Sequence, residues 1–210
     1  MKQRYSSAAA KILAWIVFLI LVADLLMKSS ADLQQVMWAC YWASAAIIVG
    51  VTLGLDRPVA WGVVFFSGIG LPAWLLGFLF GRPLYSATSV LIHSAPLVAG
   101  LVYFMKMRAL PRYTAFGAWL LYVVPFVLAW RYCNPAAMIN LSHLRGSMLP
   151  EFFPGLREFY AATFLATGIS VGLMAYLFDR LLRYRAARPR SGNQRMRVPE
   201  ALPSPHRHRQ

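Results

Sequence analysis

Charged side chains are scarce in this chain: they make up 13% of its 210 residues, against 59% hydrophobic residues. That scarcity excludes an ordinary soluble domain of this size, which needs far more charged surface. Catalytic signatures are missing too. There is no HExxH, no paired CxxC, no Walker A loop and no GxGxxG fingerprint. No HxxxH pair marks a haem-bearing bundle, and no acid-rich repeat offers a magnesium site for a diphosphate. A zinc site built from Asp24, His93 and His143 has no motif spacing behind it. No metal ligand is assigned, and the cofactor stays open.

What is present is a series of apolar runs. Six can be marked, at roughly 11–28, 34–55, 58–80, 84–105, 113–133 and 159–181. Each is near the length a helix needs to cross the hydrocarbon core of a bilayer. Continuous helices are expected, because lipid offers no partner to unpaired backbone groups. The fold class expected is therefore all-α: a multi-pass integral membrane protein, a compact bundle of about six transmembrane helices. Pro72 and Pro96 fall inside the third and fourth runs. Each removes a backbone donor and should kink its helix. The basic, apolar start resembles a secretory signal, but its run continues to Met27 with no small-x-small site before Lys28. It reads as a retained first helix.

The formal net charge is +14. In a soluble protein that would point to nucleic acid. Here the basic residues flank the apolar runs, where they meet anionic headgroups, so no nucleic-acid partner is expected. Lys2, Arg4, Lys11, Arg57, Lys106, Arg108, Arg112, Arg180, Arg183, Arg185, Arg188 and Arg190 share one side of a six-span topology. The positive-inside rule then puts both termini in the cytoplasm. Anionic phospholipids at that face are the expected partners, with a protein partner or homo-oligomer left open. The expected location is a bacterial inner membrane.

Residues 1–185 form the expected six-helix transmembrane domain, and 186–210, rich in Arg, Pro, Ser and Gly, a disordered basic tail. The long outer connection, 134–158, is too apolar and aromatic for a free linker. It suits a short interfacial helix or a re-entrant turn.

Polar residues of the apolar runs collect toward the outer side. His93 lies nine residues into the fourth run, roughly 13 Å deep at about 1.5 Å per residue. Asp24, Cys40 and Arg131 approach the same side from three other runs. An ionisable group at such depth is costly and is a functional candidate by default. His93 reads either as an interhelical hydrogen-bond former that specifies packing, or as a general acid–base group, ligand-binding donor or metal ligand. Ser94 points to a different helix face and makes no nucleophile–base unit with it, whereas Ser89 and Pro96 lie nearer its face. Asp24 reads either as a carboxylate reaching the headgroups or as a partner of His93 or Arg131. Arg131 either snorkels or holds a phosphate or carboxylate. Cys40 reads as a small buried side chain, with a nucleophilic role or a disulfide to Cys133 as the alternatives.

The outer connection adds His143, Glu151, Asn140 and Arg145, with Asn134 at its start. Trp38 and Trp74 belong to an aromatic group on that side, which serves as an interfacial belt or lines a groove for an acyl chain. The function expected is a membrane-embedded enzyme acting on a lipid or lipid-linked substrate at the outer leaflet, by hydrolysis or by acyl or headgroup transfer. His93 or His143 would carry the proton and Asp24 or Glu151 would orient it. Arg131, Asn134, Asn140, Arg145, Trp38 and Trp74 would bind substrate. The alternatives are a transporter for a small or amphipathic solute and a non-catalytic assembly or anchoring subunit.

Overall fold

The computed structural model describes residues 8–28, 37–79, 87–133 and 155–187. All regular structure among them is helical. The helices are α1 (Ala8–Leu26), α2 (Ala39–Leu53), α3 (Asp56–Phe65), α4 (Leu71–Leu79), α5 (Ala87–Phe104), α6 (Thr114–Tyr132) and α7 (Leu156–Ala187). One π-helical turn, Phe66–Gly70, joins α3 to α4. The third apolar run is thus a single traverse with a widened turn inside it. α2 has 15 residues, shorter than its apolar run: it opens only at Ala39, after Trp38, and a turn at Gly54 ends it near the end of the run. α7 has 32 residues and continues past the end of its run into the basic segment.

The α2–α3 hairpin is set by local chemistry. Gly54 closes α2 in the left-handed region (φ 70°), where a side chain would clash. The Leu55 N–H then donates to the Gly50 carbonyl at 2.7 Å, tying off one of the last carbonyls of α2. Asp56 opens α3, where a carboxylate meets the positive end of the helix dipole. It also accepts a hydrogen bond from the Tyr103 hydroxyl at 3.0 Å, so the end of α5 is fastened to the start of α3. Gly62 lets the two hairpin helices close on each other, since a Cβ there would lie 2.8 Å from the Ala43 carbonyl oxygen.

The core is built from α2, α3 and α5, with Ile47, Val51, Val59, Val63, Val64, Phe65 and Phe104 fully or almost fully buried. α1 buries Ala10, Ala14, Val17 and Leu21, one stripe at helical spacing, against α5 and α2. α6 packs on α3, and α7 packs on α6 and on the π turn. Edge-on rings join the last pair: the centroids of Phe126 and Phe164 lie 4.8 Å apart, and Phe126 also meets Tyr160. Such pairs contribute about 0.5–1.5 kcal/mol beyond their buried area.

Apolar side chains also cover the outside. Leu165, Ile169 and Leu173 of α7 are 66%, 63% and 56% exposed, and Leu177 and Leu181 continue the same stripe. α1 does likewise with Ile12, Trp15 and Leu19. Leaving one such side chain in water forgoes roughly 1.5–3 kcal/mol, and a stripe this long would make the chain insoluble. Among the described residues four helical stretches are long and apolar enough to cross a bilayer: Ala8–Leu26, Asp56–Leu75, Thr114–Tyr132 and Leu156–Ala187. α2 and the Val90–Phe104 part of α5 are shorter apolar helices. The chain is an all-α, multi-pass membrane protein with at least four spans.

Candidate functional site

One end of the bundle carries the polar groups singled out in the sequence. The contacts between elements fix which helix ends meet. Asp24 near the end of α1 meets Tyr41 at the start of α2, and Trp74 of α4 meets His93 early in α5. At the opposite end, Tyr103 of α5 meets Asp56 of α3, and Arg185 of α7 donates to the Met105 carbonyl at 3.2 Å.

His93 and Trp74 are brought together. Their ring centroids lie 5.8 Å apart with the planes 24° from parallel, a stacked arrangement. Both rings are half-buried. Stacking uses the imidazole face and leaves hydrogen bonding to the ring edge, where both nitrogens lie. Ser94, the next residue, donates its hydroxyl to the Val90 carbonyl of its own helix at 2.8 Å. It is committed to its own backbone, as the facing of adjacent helical residues requires.

Asp24 is buried, and its partners among the described residues are Tyr41 and Lys28 rather than His93 or Arg131. The Tyr41 hydroxyl donates to Asp24 Oδ2. Lys28 Nζ lies 3.0 Å from the same oxygen and 5.9 Å from the centre of the Tyr41 ring. A carboxylate in an apolar bundle is tolerable when a cation and a hydroxyl serve it, and this one has both. The partnership was half legible: Lys28 follows Asp24 by four residues, the spacing that puts two side chains on one helix face. Tyr41 had no such signal, since it belongs to another helix and reads in the sequence as one more belt aromatic.

The remaining candidates are more dispersed. Arg131 is exposed at the end of α6 with its guanidinium 5.7 Å from the centre of the Tyr132 ring. Trp38 is 40% exposed just before α2. Cys40 and Cys133 are both free thiols. Ser44, a buried polar residue beside this end, donates to the Cys40 carbonyl at 2.8 Å. His143, Glu151, Asn134, Asn140 and Arg145 lie outside the described residues, as do the side chain of Ser89 and the whole 186–210 tail apart from Ala186 and Ala187. Among the described residues no three His, Cys, Asp or Glu side chains converge in a way that could hold a metal ion.

The π turn is the feature the sequence reading missed. Turns of this kind occur mostly as single bulges, frequently beside functional sites. This one lies four residues before Trp74. The Ser170 hydroxyl of α7 donates to the Gly68 carbonyl within it at 2.6 Å. Its signal was Pro72, which has no N–H to offer the carbonyl four residues earlier, and that carbonyl belongs to Gly68.

Fold and site together define a polytopic helical membrane protein with an aromatic-stacked histidine at one end of its bundle. No protein-family model, curated protein or solved structure matches the chain.

Proposed function

We propose that this chain is a membrane-embedded enzyme acting on a lipid or lipid-linked substrate from the outer side of the membrane, by hydrolysis or by acyl or headgroup transfer. The observation that carries the reading is His93 held against Trp74 in a half-buried position within an apolar helix. A histidine is the side chain best suited to take and return a proton near neutral pH. A stacked indole fixes the ring plane, which a proton-transfer group needs and a lipid-facing residue does not. The apolar surroundings favour a substrate already dissolved in the bilayer. Asp24, committed to Tyr41 and Lys28, acts in this reading as a brace between α1 and α2. His143 and Glu151 remain candidates for the second proton-transfer group, and Arg131, Asn134, Asn140, Arg145, Trp38 and Trp74 for contacts to headgroup and chain.

The same reading has six spans, with α2 and α5 added to the four longer stretches, and both termini in the cytoplasm of a bacterial inner membrane. Arg185 supports this by joining the basic end of α7 to the α5–α6 connection, which holds Lys106, Arg108 and Arg112. Anionic phospholipids are the partners proposed for that basic end.

The test uses purified protein in vesicles whose outer leaflet carries acyl-ester and phosphate-headgroup lipids, with products followed by mass spectrometry. Lipid products are expected from the native chain. A loss on the order of 10²-fold or more is expected for His93→Ala or His93→Gln at unchanged melting temperature. Full turnover in a folded His93 variant, or no lipid product from the native chain, overturns the proposal.

A further inference from the structure

The run Phe66-Ser-Gly-Ile-Gly-Leu-Pro-Ala-Trp74 holds an unusual combination. In an ordinary α-helix the N–H of residue 72 would serve the carbonyl of residue 68, and a proline has none to give. The helix answers by widening: the Leu71 N–H reaches back five residues to the Phe66 carbonyl. The Gly68 carbonyl receives its donor from another helix, the Ser170 hydroxyl of α7, at 2.6 Å. Ser170 and Met174 also lie directly over Gly68, so the side of α7 is seated on the widened turn.

A π turn takes one residue more than an α turn. Every residue after it is therefore rotated by about 100° and shifted by about 1.5 Å relative to an unbroken helix. Trp74 comes four residues after Gly70. The face of α4 that carries it is the one the π turn selects, and on that face it meets His93. An α-helical register would turn the indole about a quarter of the way round the helix, away from the imidazole.

We infer that Ser170 is a positioning residue for the Trp74–His93 pair. By donating to the Gly68 carbonyl it holds the π turn open, and through that turn it sets the presentation of Trp74. α7, seated on the widened turn, thereby controls the geometry of the site, and a displacement of α7 that breaks this bond releases the indole. The inference deepens the catalytic reading of His93 and rests on it only for its consequence in turnover.

The test is nuclear magnetic resonance of the full chain in lipid nanodiscs with ring-13C histidine. The chain has only four histidines, and His93→Gln assigns the resonance of interest. The Trp74 ring current displaces the His93 ring protons, and Trp74→Ala gives the unstacked position. Ser170→Ala is expected to move the His93 resonance toward the Trp74→Ala position, while Ser170→Thr, which keeps the hydroxyl, stays near the native one. If Ser170→Ala does not hold its fold, Ser170→Val carries the test, since it has the shape of the Thr variant without a hydroxyl to donate to the Gly68 carbonyl. A native His93 position in folded Ser170→Ala, or in folded Ser170→Val, overturns the inference. Turnover plays no part in this readout, so the positional inference and the catalytic proposal fail separately.

Discussion

The indole of Trp74 and the imidazole of His93 lie stacked, 5.8 Å between centroids and 24° from parallel, across the α4–α5 contact. The pair should be energetically coupled. In a double-mutant cycle of Trp74→Leu and His93→Leu, the interaction term is expected at about 0.5–1.5 kcal/mol. Trp74→Phe should retain a large part of it, because a ring face remains. Equilibrium unfolding in mixed micelles measures the cycle, and a coupling of zero would show that the rings are neighbours without interaction.

Asp24 is held between Lys28 and Tyr41 with side-chain exposures of only 8% for the acid and 15% for the lysine. Removing one partner strands the other charge. Lys28→Met alone is expected to cost about 3–5 kcal/mol, and the double variant Lys28→Met with Asp24→Leu clearly less. Tyr41→Phe should cost about 1–3 kcal/mol, since the carboxylate loses a donor but keeps its cation. Unfolding free energies of the three variants check the ordering. A double variant as unstable as Lys28→Met would show that the two charges are solvated independently.

The Trp61 indole lies against Gly117 so closely that a Cβ on Gly117 would overlap it. Its Nε1–H is buried with no acceptor among the described residues. Two opposite outcomes follow. Gly117→Ala should destabilise by about 1–3 kcal/mol, because the α3–α6 contact must open. Trp61→Phe removes an unsatisfied donor at a small loss of volume, and is expected to lie within about 1.5 kcal/mol of the native chain. Melting temperatures of the two variants in one detergent decide this, and a Gly117→Ala protein as stable as the native one would contradict the packing.

Ile169 and Leu173 lie on the exposed stripe of α7, near the middle of its apolar run. Lysine or arginine at either position should reduce membrane insertion of α7 by about 2.5–3.5 kcal/mol on the translocon scale. Leucine at Ser170 on the packed side should leave insertion unaffected and disturb folding instead. A glycosylation-mapping insertion assay separates the two effects. Equal insertion of Leu173→Arg and the native helix would remove α7 from the spans.

Much of the architecture was legible in the residues. Apolar runs of spanning length announced α1, α6 and α7, and the third run announced the traverse that contains α3 and α4. The run boundaries were less faithful. The second run begins near residue 34, whereas α2 starts only at Ala39; its other end, set by the left-handed turn at Gly54, lies within two residues of the end of the run. The polar candidates were legible as residues and not as partners. His93, Asp24 and Arg131 stood out because charge or imidazole is costly in an apolar run. Which of them touch depends on how helices rotate about their own axes, and one apolar face among several apolar faces leaves that rotation undetermined.

By itself, then, the sequence determined a helical membrane protein, because hydrophobic length and backbone hydrogen bonding in lipid leave few alternatives. Only the tertiary structure decided that Trp74 rather than Asp24 lies against His93, and that Asp24 belongs to Lys28 and Tyr41. The physical reason is local. One proline withholds one N–H, the helix widens by one residue, and a serine from a helix about a hundred residues later in the chain supplies the missing donor. That single turn sets which way the indole points.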